Sequence, residues 1–139
     1  VGNHCILTHA CGLGGHSVVE DGAILGGMSG VHQFVRVGRM AMVGGMAKVT
    51  NDVPPFCLVD GNPARVVGVN VVGLKRSGMD QATRAEIRKA FKLLYRSGLA
   101  LSAAVERMAE ELAPLPEILH LIEFLRASGR GITPADPQV

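Results

Sequence analysis

The chain has 139 residues, a formal net charge of +2, 18 Gly and few aromatics: four Phe, one Tyr and no Trp. That is enough for one ordinary domain or two small ones. No apolar run is long enough to span a bilayer and none has a signal-peptide pattern, so membrane insertion is not expected. The three Cys fit neither a disulfide framework nor a zinc spacing, which predicts a reducing, cytoplasmic setting.

Residues 1–54 repeat every six. Val1, Leu7, Leu13, Val19, Leu25, Val31, Val37, Val43 and Val49 share one frame, and the residue after each is Gly at Gly2, Gly14, Gly26, Gly38 and Gly44. The fifth position is small or β-branched throughout, from Cys5 and Cys11 to Ala47 and Val53. A helix repeats near 3.6 and a flat strand near 2, so neither explains the period. A parallel β-helix does, with one short strand and one turn per hexapeptide. The aliphatic residue fills the interior, the small residue lets the faces close, and Gly is expected to permit the tight corner. Three hexapeptides per turn give three 18-residue coils, stacked ~4.8 Å apart. The chain enters this repeat in phase at Val1 with no N-terminal cap, which predicts further coils upstream.

The frame breaks at Asp52-Val53-Pro54-Pro55, because Pro cannot donate to the ladder. Residues 55–78 read as a connector and irregular end of the β-helix, with a possible last strand over 66–72. Residues 80–97 read as a helix capped by Asp80, with Ile87, Ala90, Phe91 and Leu94 on one stripe and Gly98 as its stop. A second helix is expected over about 102–112, and a third from Pro116 to near Gly129. The tail 133–139 is expected to be disordered. The fold class is thus mainly β plus α: a β-helix over 1–54, the connector, and a small three-helix domain over 79–132.

Charge is uneven along the chain. Residues 1–61 carry net −1, residues 62–97 net +6, and residues 98–139 net −3. The basic block points to an anionic partner or to a solvated helix face. A narrow prism admits no substrate to its interior, so any site lies outside. His16 and His32 are 16 residues apart, close to one coil, which places them on adjacent coils and nearly one face. Such a pair could position a general base and an oxygen-binding donor. His32 also stands where Gly is usual, and Gln33 beside it adds an amide suited to a sugar or nucleotide. His4 reads as a tolerated surface residue, five positions before His9. Their spacing also resembles metal-binding His pairs of β-helical carbonic anhydrases, which keeps a metal-dependent hydratase as an alternative.

Three stretches carry a more specific resemblance: Gly30-Val31-His32-Gln33-Phe34, Asp52-Val53-Pro54-Pro55, and Gly68-Val69-Asn70-Val71-Val72-Gly73-Leu74-Lys75-Arg76. With Ala90-Phe91-Lys92-Leu93-Leu94-Tyr95-Arg96-Ser97-Gly98, they make the chain resemble the acyl-[acyl-carrier-protein]–UDP-N-acetylglucosamine O-acyltransferases of lipid A synthesis over about residues 1–132. The resemblance implies a left-handed β-helix and a homotrimer with clefts between prisms. It implies no cofactor, no metal, no nucleic acid and no membrane insertion. It implies transfer of a 3-hydroxyacyl group from acyl carrier protein to the 3-OH of UDP-N-acetylglucosamine. The family's general-base His falls upstream of Val1, so this chain alone is expected to be inactive. A non-catalytic trimerisation and carrier-binding role is the alternative.

Carried over by motif, Gly15 offers its backbone N–H to the oxyanion. His16, Gly27, His32 and Gln33 bind the sugar and acyl group, and Asn70 and Arg76 the nucleotide. Gly45 sets acyl-chain length, its missing side chain leaving the groove open for a longer chain. Arg84, Arg88 and Lys92 are expected to dock the acidic carrier. Val72 and Ser77 depart from the family pattern, standing where an acidic residue and a second Arg often occur.

Overall fold

The computed structural model describes residues 1–129 and 131–139, in two compact units. The first comprises Val1–Asn70 with the C-terminal segment, and the second Val71–Gly129. Among the described residues, no helix is long and apolar enough to cross a membrane.

The first unit is a parallel β-solenoid whose coils follow the six-residue period. Each hexapeptide gives one two-residue strand: β1 (Ile6–Leu7), β2 (Gly12–Leu13), β3 (Val18–Val19), β4 (Ile24–Leu25), β5 (Gly30–Val31), β6 (Arg36–Val37), β7 (Met42–Val43) and β8 (Lys48–Val49). Strands 18 residues apart pair in parallel, giving three faces: β1-β4-β7, β2-β5-β8 and β3-β6. The repeat's aliphatic residue points inward. Leu25, Val37, Val43 and Val49 are wholly buried, as are the small residues Ala23 and Ala41. In the first coil the same inward positions are open, with Leu7 42 % and Leu13 37 % exposed.

The corners correct one expectation. Gly at the second repeat position does not supply the left-handed turn residue. The fourth position does, at His4, Ala10, His16, Gly22, Met28, Phe34, Met40 and Met46, with φ from 54° to 73°. A positive φ at the third of four turn residues, closed by a bond such as Ser29 N–H to Gly26 O at 3.2 Å, is a type II arrangement. Each non-Gly residue there costs about 1–2 kcal/mol. The column offsets this, because the fourth-position N–H donates to the third-position carbonyl one coil back: Phe34 to Gly15 at 3.0 Å, Met28 to His9 at 3.1 Å. Second-position Gly serves close approach instead. A Cβ on Gly14 would collide with the Gln33 backbone, and one on Gly26 with that of Gly45.

The ladder outlasts the predicted break. Val53 still bridges to Val37, and Asp52 Oδ1 accepts the Arg36 N–H at 2.9 Å while its other oxygen lies 3.4 Å from Arg36 Nε. Pro54 and Pro55 follow, buried. The expected connector is more regular than its Gly and Pro content implied. It forms an antiparallel hairpin, β9 (Cys57–Gly61) and β10 (Ala64–Val69), and β9 extends the β1-β4-β7 face. The tail, expected to be disordered, is tied back onto this unit. Ile132 bridges to Asp52 and Ala135 to Val66, and the buried Thr133 hydroxyl lies 3.1 Å from both the Asn51 and Asp52 carbonyls. Chain ends stay ordered when their backbone groups find such partners.

The second unit is helical. It opens with a helix that sequence reasoning missed, α1 (Val71–Arg76), because two β-branched residues and a Gly disfavour it locally. Burial of Leu74 and the bond from Met79 N–H back to the Leu74 carbonyl hold it. Three longer helices follow: α2 (Gln81–Tyr95), α3 (Leu101–Glu111) and α4 (Pro116–Arg126). Asp80 caps α2 by accepting Thr83 N–H at 2.8 Å, and hydrogen bonding from Thr83, its side chain first and then its N–H, draws the Asp80 carboxyl below the ordinary range. The stripe predicted on α2 is buried at Ile87, Ala90 and Phe91, α3 buries Val105 and Met108, and α4 buries Ile118, Leu121, Ile122, Phe124 and Leu125 while Leu119 stays 53 % exposed.

Candidate functional site

The solenoid's three faces differ in what they present outward. The β1-β4-β7-β9 face shows Ile6, Ile24, Met42 and Leu58, a continuous apolar ladder. The β2-β5-β8 face shows Gly12, Gly30 and Lys48. A Cβ at Gly12 or Gly30 would meet nothing within 4 Å, so this face has an open floor of bare backbone. A shallow cavity lies on it, lined by the two glycines with Gly14, His32 and Lys48.

Two corner columns border that floor, and they carry most of the predicted residues. One column stacks Gly14–Ser17 beneath His32–Val35. It holds Gly15, His16, His32 and Gln33. The His16 and Phe34 rings stack in parallel, 5.0 Å apart and 9° from coplanar, with Phe34 still 53 % exposed. Phe34 was not singled out from sequence, although it stands 18 residues after His16 in frame, which is the signal that locates it. The other column stacks His9, Gly27 and Gly45. A Cβ on Gly27 would sit 3.3 Å from the His9 ring, and one on Gly45 3.4 Å from the Gly27 carbonyl.

Backbone polarity completes the first column. The Gly15 carbonyl accepts from Phe34 N–H, but the Gly15 N–H has no hydrogen-bond partner among the described residues. Corresponding third-position amides elsewhere are taken by carboxylates: Asn3 N–H by Asp21 at 2.7 Å, Arg39 N–H by Glu20 at 2.9 Å. These amides therefore point outward and bind negative oxygen. At Gly15 that donor stands open.

The remaining predicted residues lie elsewhere. Asn70 ends the first unit, 7 % exposed, with its side-chain amide donating to the Met40 carbonyl at 3.0 Å. Arg76 closes α1, exposed. Arg84 and Arg88 line a polar cavity with Lys75, whereas Lys92 borders a separate apolar groove with Lys89, Leu93 and Arg96. His4 stands at the corner before His9, and no group of three potential metal ligands comes together among the described residues. Cys57 is buried, which pushes its thiol up to about 12, and it has no place in a reactive site.

The family model described as UDP-N-acetylglucosamine O-acyltransferase, domain 2, matches residues 52–133, more than half of the chain. The chain belongs to that family. The acyl-[acyl-carrier-protein]–UDP-N-acetylglucosamine O-acyltransferase of Gloeothece citriformis is 48 % identical over 123 residues, covering 88 % of this chain and 44 % of the relative. The enzyme of that name from Verminephrobacter eiseniae is 47 % identical over 136 residues, covering 95 % and 52 %. Among solved structures, LpxA from Acinetobacter baumannii superposes with a TM-score of 0.92 at 38 % identity, over 96 % of this chain and 52 % of its own. The chain spans about half the length of the O-acyltransferases that it matches.

Proposed function

We propose that the chain forms the C-terminal half of an O-acyltransferase that moves a 3-hydroxyacyl group from acyl carrier protein to the 3-OH of UDP-N-acetylglucosamine. One observation carries this reading: an open backbone floor bordered by an unpaired amide and a His pair on one side and by two bare glycines on the other. Acyl transfer passes through a tetrahedral oxyanion, which needs preorganised donors. The Gly15 N–H is such a donor. His16 and His32 contact the sugar and acyl group beside it, with Gln33 reaching the acyl hydroxyl or sugar. The acyl chain lies along the floor towards Gly27 and Gly45, where the first side chain to project would limit its length. Arg76 meets the nucleotide's phosphates through charge-assisted bonds, and Asn70 its base or ribose. Arg84, Arg88 and Lys92 dock the acidic carrier.

The proton from the acceptor hydroxyl goes to a His in coils upstream of Val1. The open inward positions of the first coil suit a further coil stacked on it. The apolar ladder of Ile6, Ile24, Met42 and Leu58 supports self-association, and we propose a homotrimer in the cytoplasm. The test assays acyl transfer with this chain and with the chain extended upstream to the length of its relatives. Activity is expected only in the extended chain. An inactive extended chain that is folded and trimeric would overturn the catalytic reading in favour of a carrier-binding, non-catalytic one.

A further inference from the structure

The geometry points to Ser17 as a positioning residue: its hydroxyl aims and polarises the Gly15 N–H. The inference rests on the reading of Gly15 as oxyanion donor. The Gly14 carbonyl and the Gly15 N–H belong to one planar trans peptide, so they point in opposite directions. Whatever holds the carbonyl therefore sets the direction of the N–H. The Gly14 carbonyl receives two bonds, from Ser17 N–H at 3.3 Å and from Ser17 Oγ at 2.7 Å. At Gly26, Gly38 and Gly44 the same carbonyl receives the backbone N–H alone, at 3.2, 3.1 and 3.3 Å, among the described residues.

Ser29 supplies an internal comparison. It occupies the same repeat position as Ser17 one corner away, yet its buried hydroxyl has no hydrogen-bond partner. A serine at this position does not bond the turn automatically, so the Ser17 bond is particular to the Gly15 corner. The next peptide is fixed as well, since the Gly15 carbonyl takes Phe34 N–H at 3.0 Å. Both planes around Gly15 are thus held from their carbonyl ends, and the free N–H faces outward without needing to reorganise when negative charge develops. Donation into the Gly14 carbonyl also polarises that peptide and strengthens its N–H as a donor.

The test compares Ser17→Thr with Ser17→Val, which have the same shape and differ in the hydroxyl. Val35 and Val53 fill the same repeat position in the two coils above, so a branched side chain fits. In the upstream-extended chain, Ser17→Val should lower kcat about threefold to tenfold, the size expected for loss of one hydrogen bond acting through the backbone. KM for both substrates should stay unchanged, and Ser17→Thr should keep native kcat. By NMR, the Gly15 amide proton should move upfield in Ser17→Val and not in Ser17→Thr, with Ser29→Ala as a silent control. Equal Gly15 shifts in the Thr and Val variants would overturn the positioning. A shift confined to Val with native kcat would overturn the catalytic consequence, and would locate the failure in Gly15 as oxyanion donor rather than in its coupling to Ser17.

Discussion

Glycine means two different things along this solenoid, and substitution separates them. At Gly14 an added methyl meets backbone, that of Gln33, which cannot move without shifting a coil. Gly14→Ala should therefore cost about 2–3 kcal/mol in urea unfolding. At Gly45 the nearest atom to an added Cβ is the Gly27 carbonyl oxygen at 3.4 Å, an ordinary contact, and no left-handed backbone is required. Gly45→Met should leave stability within about 0.5 kcal/mol of native while shifting acyl preference towards shorter chains in the extended enzyme. An unchanged preference would remove Gly45 as the length determinant. Cys57 gives a second residue-scale prediction. Burial raises its thiol from 9.0 to about 12, so the folded state keeps a proton that the unfolded state releases above pH 9.0. Its contribution is full below pH 9.0 and is lost as pH rises towards 12, with a slope approaching ~1.4 kcal/mol per pH unit. Between pH 8 and 10.5, Tm should fall more steeply in the native chain than in Cys57→Ala.

At the scale of elements, periodicity was legible and partnership was not. Strict recurrence of Val1, Leu7, Leu13 and their successors located every two-residue strand, because the first repeat position fills the interior and stays aliphatic throughout. The stripe of Ile87, Ala90 and Phe91 located α2 for the same reason. The expected disorder of 133–139 failed because Pro- and Asp-rich composition says nothing of an unpaired strand edge 80 residues earlier. Thr133 N–H finds the Asp52 carbonyl at 2.8 Å, and its hydroxyl reaches that carbonyl and the Asn51 carbonyl. Helix α1 was missed because its propensity is poor and it forms through burial of Leu74 and the Met79 N–H bond to the Leu74 carbonyl. At the site, the 18-residue coil length puts His16 and His32 in one corner column, and the family resemblance named the Gly15 amide; composition alone could not, since a vacancy in a hydrogen-bond ladder leaves no mark on it. Thr133→Val keeps shape and removes the hydroxyl. It should destabilise the solenoid unit by about 1 kcal/mol, read as a lower urea midpoint with unchanged slope. A native midpoint would mean that the tail contributes nothing through this side chain.

Across the whole molecule, the net charge of +2 conceals a +6 segment over residues 62–97. Arg84, Arg88 and Lys92 follow one another at four-residue spacing along α2, and none is drawn into an ion pair among the described residues, whereas Lys89 is paired with Glu86 at 2.9 Å. Arg84 acts electrostatically on the Asp80 cap, and a row of three cations outside any ion pair raises the encounter rate with an acidic protein. Reversing all three to Glu leaves the buried stripe of α2 untouched. Glu at position 84 also falls near the helix N-terminus, where negative charge is tolerated. The folded state should therefore survive. In the upstream-extended chain the triple reversal should raise KM for the acyl carrier protein about tenfold at low ionic strength, and leave kcat at saturating carrier unchanged. The gap between variant and native should close as salt shortens the Debye length towards ~3 Å at 1 M. A small-molecule acyl thioester lacking the carrier's acidic surface should react equally well with both proteins. If that donor also loses affinity, the three cations act on the acyl site itself and not on the approach of the carrier. If neither KM nor its salt dependence changes for the carrier, the basic segment is a solvated face and the docking surface lies elsewhere.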